Sequence, residues 1–234
     1  MPTKTNSKKP SELGYRLPAE WEPHEATWLA WPHDRQTWPN ELEEIEAAYI
    51  EIIEYLHAGE VVRILVDNEQ AEEAAAQKLK ERGINRNVTF HHIETNSIWI
   101  RDYGPIFLKK VNQVSAVNWQ FNAWGGKYNY PQDKQAAAKL TQNLNIQPFE
   151  ADLVLEGGSI DVNGEGVLLT TEECLLNPNR NPKKASGNEY GPRDFTGTWQ
   201  HLRITQQRGQ QTETCAGSRQ SLSVFYPSAL SHRR

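Results

Sequence analysis

Apolar positions recur along this chain with two periods. Between Asn40 and Gly59, the residues Leu42, Ile45, Tyr49, Ile52 and Leu56 fall at steps of three and four, the spacing of one helical face. Asn40 followed by Glu43 predicts a capping box with Asn in the Ser/Thr place, and Gly59 predicts the stop. A second, alanine-rich helix is predicted from Glu69 to Arg82, ending at Gly83, and a third over about Asp133 to Asn143. Short apolar runs predict strands at Ala26 to Trp31 (ended by Pro32), Val61 to Val66, Asn87 to Ile93 and Val114 to Asn122. Asp161 to Leu169 predicts a hairpin in which Asn163-Gly164 suits a type I′ turn. Strands alternating with helices and hairpins make the chain α/β or α+β.

One stretch breaks the pattern. Ile98 to Phe107 sets Arg101 and Asp102 between two apolar β-type runs, and Gly104-Pro105 turns the chain at once. Charged residues so placed are expected at a strand end, where a side chain reaches a cavity. A second stretch follows the same plan: Asp102-Tyr-Gly-Pro-Ile106 and Glu156-Gly-Gly-Ser-Ile160 are both acid-x-Gly-x-Ile, 54 residues apart. That separation suits one supersecondary unit. If the units are related by rotation, the two acids point at one central volume. Two carboxylates there can hold a hard metal, serve as the acid and base of a glycosidase, or clamp a planar cation through paired hydrogen bonds. Trp99 and Trp124 offer flat faces to a delocalised cation, which favours the clamp. Core packing is the competing role for both tryptophans and for Trp21, Trp28, Trp31 and Trp38. His24 and His33 read as structural, because nothing near them has metal-ligand spacing.

Composition narrows the class. The chain has 234 residues, enough for one large domain or two small ones. A net charge of −5, with no basic stripe interleaved with aromatics, argues against a nucleic-acid partner. No apolar run approaches the length that spans a bilayer, and the polar first ten residues have no secretory pattern. Cys174 and Cys215 make no disulfide framework. These features together predict a cytoplasmic protein without a membrane partner. Cys174 fits a strand, as a buried small hydrophobe.

Several motifs together resemble the agmatine deiminases of the guanidino-modifying pentein superfamily: Pro18-Ala-Glu-Trp-Glu-Pro-His24, Trp28-Leu-Ala-Trp-Pro32, Trp99-Ile-Arg-Asp-Tyr-Gly-Pro105, Asn118-Trp-Gln-Phe-Asn122 with Trp124-Gly-Gly-Lys127, Leu155-Glu-Gly-Gly-Ser159 and Asn177-Pro-Asn-Arg-Asn-Pro182. The resemblance covers about residues 13–182. It implies part of a five-bladed α/β propeller built from strand-strand-helix-strand repeats, and hydrolysis of agmatine to N-carbamoylputrescine and ammonia, on the way to putrescine. In that family a cysteine thiolate attacks the guanidinium carbon, ammonia leaves, and water cleaves the intermediate, with no cofactor or metal. A histidine moves protons and acids hold the guanidinium. Carried over by motif, Trp99, Asp102 and Glu156 are the expected substrate-binding residues. Arg101 is expected to support the site, because a cation beside the substrate would repel it. Family members commonly form homo-oligomers.

The chain departs from the family after Pro182. The expected Gly-His-x-Asp segment and the late Gly-rich cysteine motif are not found, so no catalytic residue is assigned. His201 has no acid two residues on, and Cys215 has no glycine run before it. Residues 183–234 carry a charge balance of +5, against −10 for residues 1–182. They read as an unrelated, poorly ordered tail from a shifted reading frame, and residues 1–12 read as a flexible start. The expectation is an agmatine deiminase by descent that does not turn over. The alternatives are a non-catalytic guanidine- or polyamine-binding remnant, or a relative acting on protein arginine.

Overall fold

In this computed structural model the described residues are 8–182, with two further strand segments at 199–204 and 222–227. The first sheet is parallel, order β1-β2-β3, from β1 (Ala26–Ala30), β2 (Val61–Val66) and β3 (Val88–His92). Its crossovers are α1 (Leu42–Leu56) and α2 (Glu69–Glu81). Parallel strands need such crossovers, and here these pack Ile50, Ile53, Ala75 and Leu79 against Val62, Ile64 and Val66 in one core cluster. Asn68 caps α2 by accepting from the Ala71 N–H at 3.0 Å. Glu46 ties three elements together, accepting from the Trp31 indole N–H at 3.1 Å and from the Lys78 ammonium.

A one-turn helix, α3 (Ile100–Tyr103), leads into the second sheet. That sheet has the order β4-β5-β6, from β4 (Ile106–Lys110), β5 (Gln113–Gln120) and β6 (Pro148–Val154). β4 and β5 run antiparallel and β5 and β6 parallel. Between β5 and β6 come a single turn, α4 (Ala123–Gly126), and the crossover helix α5 (Asp133–Asn143). The third sheet begins with the antiparallel pair β7 (Ile160–Val162) and β8 (Leu168–Thr171), followed by α6 (Glu172–Leu176). β10 (Leu222–Pro227) pairs antiparallel with β8, and β9 (Trp199–Ile204) pairs antiparallel with β10. An apolar cleft of about 180 Å³ lies between the second and third sheets, walled by Leu108, Val117, Trp119, Ile160, Val162 and Leu168.

Several expectations are corrected. α1 starts at Leu42 with Glu41 at its cap and no side-chain capping bond, and the Asn40 N–H expected to bond Glu43 goes to Glu41 Oε2 at 3.3 Å. Its buried positions are Leu42, Ile50 and Ile53, whereas Ile52 is 45% exposed. Steps of three and four fit more than one stripe, and the sheet meets the 50/53 side. The Arg101-Asp102 pair sits on a helical turn, not a strand end, closed by Asp102 N–H to Trp99 O (2.8 Å) and Gly104 N–H to Ile100 O (2.7 Å). No type I′ turn joins β7 to β8. Gly164 and Gly166 are left-handed but Asn163 is not, and the Asn163 side chain instead accepts from the Glu165 and Val167 N–H groups. Cys174 is half-buried on α6, not in a strand, with its N–H capped by Thr171 Oγ1 at 3.3 Å.

The strand-strand-helix-strand repeat fits the second sheet. The first runs strand-helix-strand-helix-strand, all parallel. Within the tail read as lacking pattern, β9 and β10 are strands; Leu222-Ser-Val-Phe-Tyr226 is rich in residues that suit a pleated surface. Cys215 and the rest of 183–234 lie outside the described residues, as do residues 1–7 of the expected flexible start. Ser11–Leu13 of that start forms a 3-10 turn.

Candidate functional site

The two acid-x-Gly-x-Ile segments occupy matching places. Asp102 lies on α3, just before the antiparallel pair β4-β5, and Glu156 lies just before the 3-10 turn Gly157–Ser159 and the antiparallel pair β7-β8. The two turns pack directly on each other. A Cβ at Gly157 would come within 2.2 Å of Arg101 O, and one at Gly158 within 2.4 Å of Asp102 Oδ1, so only glycines permit the approach. The approach makes a bond: the Gly158 N–H donates to Asp102 Oδ1 at 3.0 Å.

Asp102 Oδ2 has its own donor, the Trp124 indole N–H, at 3.2 Å. Burial pushes the Asp102 carboxyl above the usual aspartate range, opposed by the Gly158 and Trp124 donors and then by the Arg101 and Arg180 charges. The Arg101 guanidinium pairs with Glu20, while its charge still reaches Asp102. α3 itself is braced from α5. Asp133 accepts from the Asn96 and Ser97 N–H groups at 2.7 and 3.2 Å, and the Tyr103 hydroxyl donates to Ser97 O at 2.7 Å.

Glu156 is 2% exposed. Its Oε1 accepts from Arg180 Nε at 2.7 Å, in an ion pair whose side chains are nearly closed to solvent. Its Oε2 is also buried and has no hydrogen-bond partner among the described residues. Nothing in the spacing of Glu156 signalled Arg180, although the turn-rich Asn177-to-Pro182 motif contains it. That motif is stapled down by Asn181, whose side chain accepts from the Val154 N–H and donates to the Val154 and Leu175 carbonyls.

Trp99 caps the start of α3 and is 52% exposed, free to offer its face at the surface. Trp124, expected mainly in the core, is half-buried and makes edge contacts with Phe121 (5.3 Å) and Tyr128 (5.7 Å) while donating to Asp102. The structure thus brings Asp102, the Glu156 segment and Trp124 together, and Trp99 caps the turn that carries Asp102. His24 and His33 tie neighbouring segments together: His24 bonds with Glu60 at 2.6 Å, and His33 with the carbonyls of Trp31 and Thr95 at 2.9 Å each. The side chain of His201, on β9, is outside the described residues. Among the described residues, no helix is long and apolar enough to cross a membrane.

A mixed α/β chain in which facing turns bring a half-buried Asp102 near a buried Glu156 has clear relatives. It matches the profile of the Porphyromonas-type peptidyl-arginine deiminases over residues 16–189, and it belongs to that family. It is 40% identical over 180 residues to an agmatine deiminase of Pseudomonas aeruginosa (strain LESB58), covering 74% of this chain and 48% of the relative. It is 38% identical over 185 residues to that of Ectopseudomonas mendocina (strain ymp), covering 76% and 49%. Among solved structures, the agmatine deiminase of Enterococcus faecalis superposes with a TM-score of 0.68 at 30% identity, over 80% of this chain and 50% of that one. A substrate-bound agmatine deiminase of C. jejuni superposes with a TM-score of 0.63 at 34% identity, over 72% and 49%. The chain therefore spans about half the length of the relatives it matches.

Proposed function

We propose that this chain carries the guanidinium seat of an agmatine deiminase, formed by Asp102 and Glu156 with Trp99 at its edge, and that it binds agmatine without hydrolysing it. Its three sheets are read as part of a five-bladed propeller. The carrying observation is the buried Oε2 of Glu156, without a hydrogen-bond partner among the described residues, on a turn that packs against Asp102 through Gly158. A buried charged acceptor without a donor costs about 1–3 kcal/mol or more, and a guanidinium presents planar N–H donors suited to two carboxylates. Arg180 occupies Oε1 and shows that Glu156 can accept from a guanidinium, while its charge opposes a second cation at Oε2. The names of the relatives favour agmatine.

Turnover needs an ionised thiol near the bound carbon, and a free thiol, with a pKa of about 8.5, requires a cationic neighbour to supply thiolate at neutral pH. Cys174 sits on α6 with its N–H on Thr171 and is given no such role. The test is calorimetric titration of the whole chain with agmatine and with putrescine, which lacks the guanidinium, alongside an ammonia assay. Agmatine is expected to bind at least tenfold more tightly than putrescine, with no ammonia released. Equal binding of the two overturns the guanidinium seat; ammonia release that Asp102→Asn abolishes overturns the inactivity. An arginine-containing peptide binding more tightly than agmatine favours the protein-arginine reading.

A further inference from the structure

The turn that carries Trp124 is left-handed. Ala123 and Trp124 have φ of 51° and 57°, followed by Gly125 at 90° and Gly126 at 81°. It is closed like a helix, by Gly126 N–H to Asn122 O at 2.6 Å and Lys127 N–H to Ala123 O at 3.0 Å. Left-handed backbone costs a residue with a Cβ roughly 1–2 kcal/mol, so two successive non-glycine residues hold it only because the surroundings impose it.

Those surroundings come from the Asn177-to-Pro182 motif. The Asn122 side chain accepts from the Gly125 N–H at 3.0 Å and donates to Asn179 O at 3.0 Å. Gly125 lies flat on Asn179, where a Cβ would come within 2.9 Å of the Asn179 Cβ. The next residue, Arg180, is the one that holds Glu156. One dipeptide, Asn179-Arg180, thus clamps the turn presenting Trp124 to Asp102 and at the same time pairs the other acid.

From this geometry we propose that Trp124 is a positioning residue for Asp102: the strained turn, locked by Asn122 and Asn179, aims the indole N–H so that Asp102 keeps one carboxylate orientation and its charge. The inference deepens the guanidinium reading and rests on it for its purpose. The charged groups facing Asp102 are Arg101 from its own turn and Arg180 from the clamping motif, and Glu156 approaches through the turn that supplies the Gly158 donor. Both arginines remain in the variants below, so a change on removing the indole N–H is not theirs.

The test is an NMR titration of the full chain without ligand, following the Asp102 carboxyl carbon, assigned by its loss in Asp102→Asn, and the Trp124 indole N–H. In the unsubstituted protein the indole resonance is expected to move with the same midpoint as Asp102, and to lose that dependence in Asp102→Asn. Trp124→Phe keeps a ring against Phe121 and Tyr128 and is expected to raise the Asp102 midpoint by about one pH unit, the size of one bond to a charged group. Agmatine affinity at neutral pH should fall at least threefold. An indole resonance indifferent to Asp102 overturns the proposal even if Trp124→Phe does not fold, as does an unmoved Asp102 midpoint in a folded Trp124→Phe. Coupled titration without agmatine binding leaves the positioning link standing and overturns the guanidinium reading instead.

Discussion

Asp102 and Gly158 are joined across 56 positions of sequence by a 3.0 Å hydrogen bond, with the glycine backbone seated where any side chain would collide with the carboxylate. The two glycines after Glu156 therefore have separable tasks. At Gly157 the obstacle is backbone, Arg101 O at 2.2 Å, and the Ile106 side chain at 2.9 Å. Gly157→Ala is expected to destabilise the chain by more than about 2 kcal/mol in denaturant unfolding, in the range of substitutions that force a backbone shift. At Gly158 the obstacle is the end of a side chain. Gly158→Ala is expected to cost less stability while weakening agmatine binding about tenfold. Equal stability loss at both positions would contradict the arrangement.

Arg180 and Glu156 form a nearly buried pair at 2.7 Å. Removing one partner strands a buried charge, and Arg180→Ala is expected to cost about 3–5 kcal/mol. Arg180→Met with Glu156→Gln removes both charges at similar volume, and should recover most of that loss. A double-mutant cycle on unfolding free energies checks this, and additivity of the two single losses would show the pair to be uncoupled.

Much of the fold is legible in the sequence because the helices and strands of residues 26–143 are local patterns. Val61–Val66 and Asp133–Asn143 have the bounds expected of them. What the pattern misses depends on partners far along the chain. The stripe on α1 is chosen by the sheet beneath it, which leaves Ile52 outside. The Asp102 stretch winds into a turn because Tyr103 and Asp133 anchor it to residues 95–97 and the glycines of the second segment seat against it. Asp102 and Glu156 were readable as a pair from their shared motif. Trp124 was readable as a flat face for the clamp but not as a donor to Asp102, and Arg180 and Gly158 were not assigned to the pair, since these contacts cross 22, 24 and 56 positions respectively.

Asp102 is expected to make binding pH-dependent from the acid side. Its folded carboxyl lies above the usual aspartate value because burial disfavours the charge, and an unperturbed aspartate titrates near pH 3.9, roughly. Only the ionised form offers a guanidinium both a negative charge and two accepting oxygens, so agmatine affinity should fall as pH drops through a midpoint above that value. Titrations between pH 4 and 8 (buffer settings, about four units) check the direction.

The same shift fixes the sign of a stability effect. A carboxyl raised on folding contributes stability that is fully present below its unfolded pKa and is lost as pH rises through the folded one. At neutral pH the ionised Asp102 therefore opposes folding. Asp102→Asn should melt at the same temperature or higher near pH 7, with any advantage shrinking in acid. A lower melting temperature at pH 7 alone would mean that its bonds to Gly158 and Trp124 outweigh burial.

The most direct measurement is agmatine titration of this chain beside its Asp102→Asn and Glu156→Gln variants, at neutral pH and with folding verified. Two carboxylates forming one guanidinium seat predict saturable binding by the unsubstituted chain, weakened at least tenfold by either substitution. Binding that survives both substitutions, or no binding by the unsubstituted chain, would contradict it.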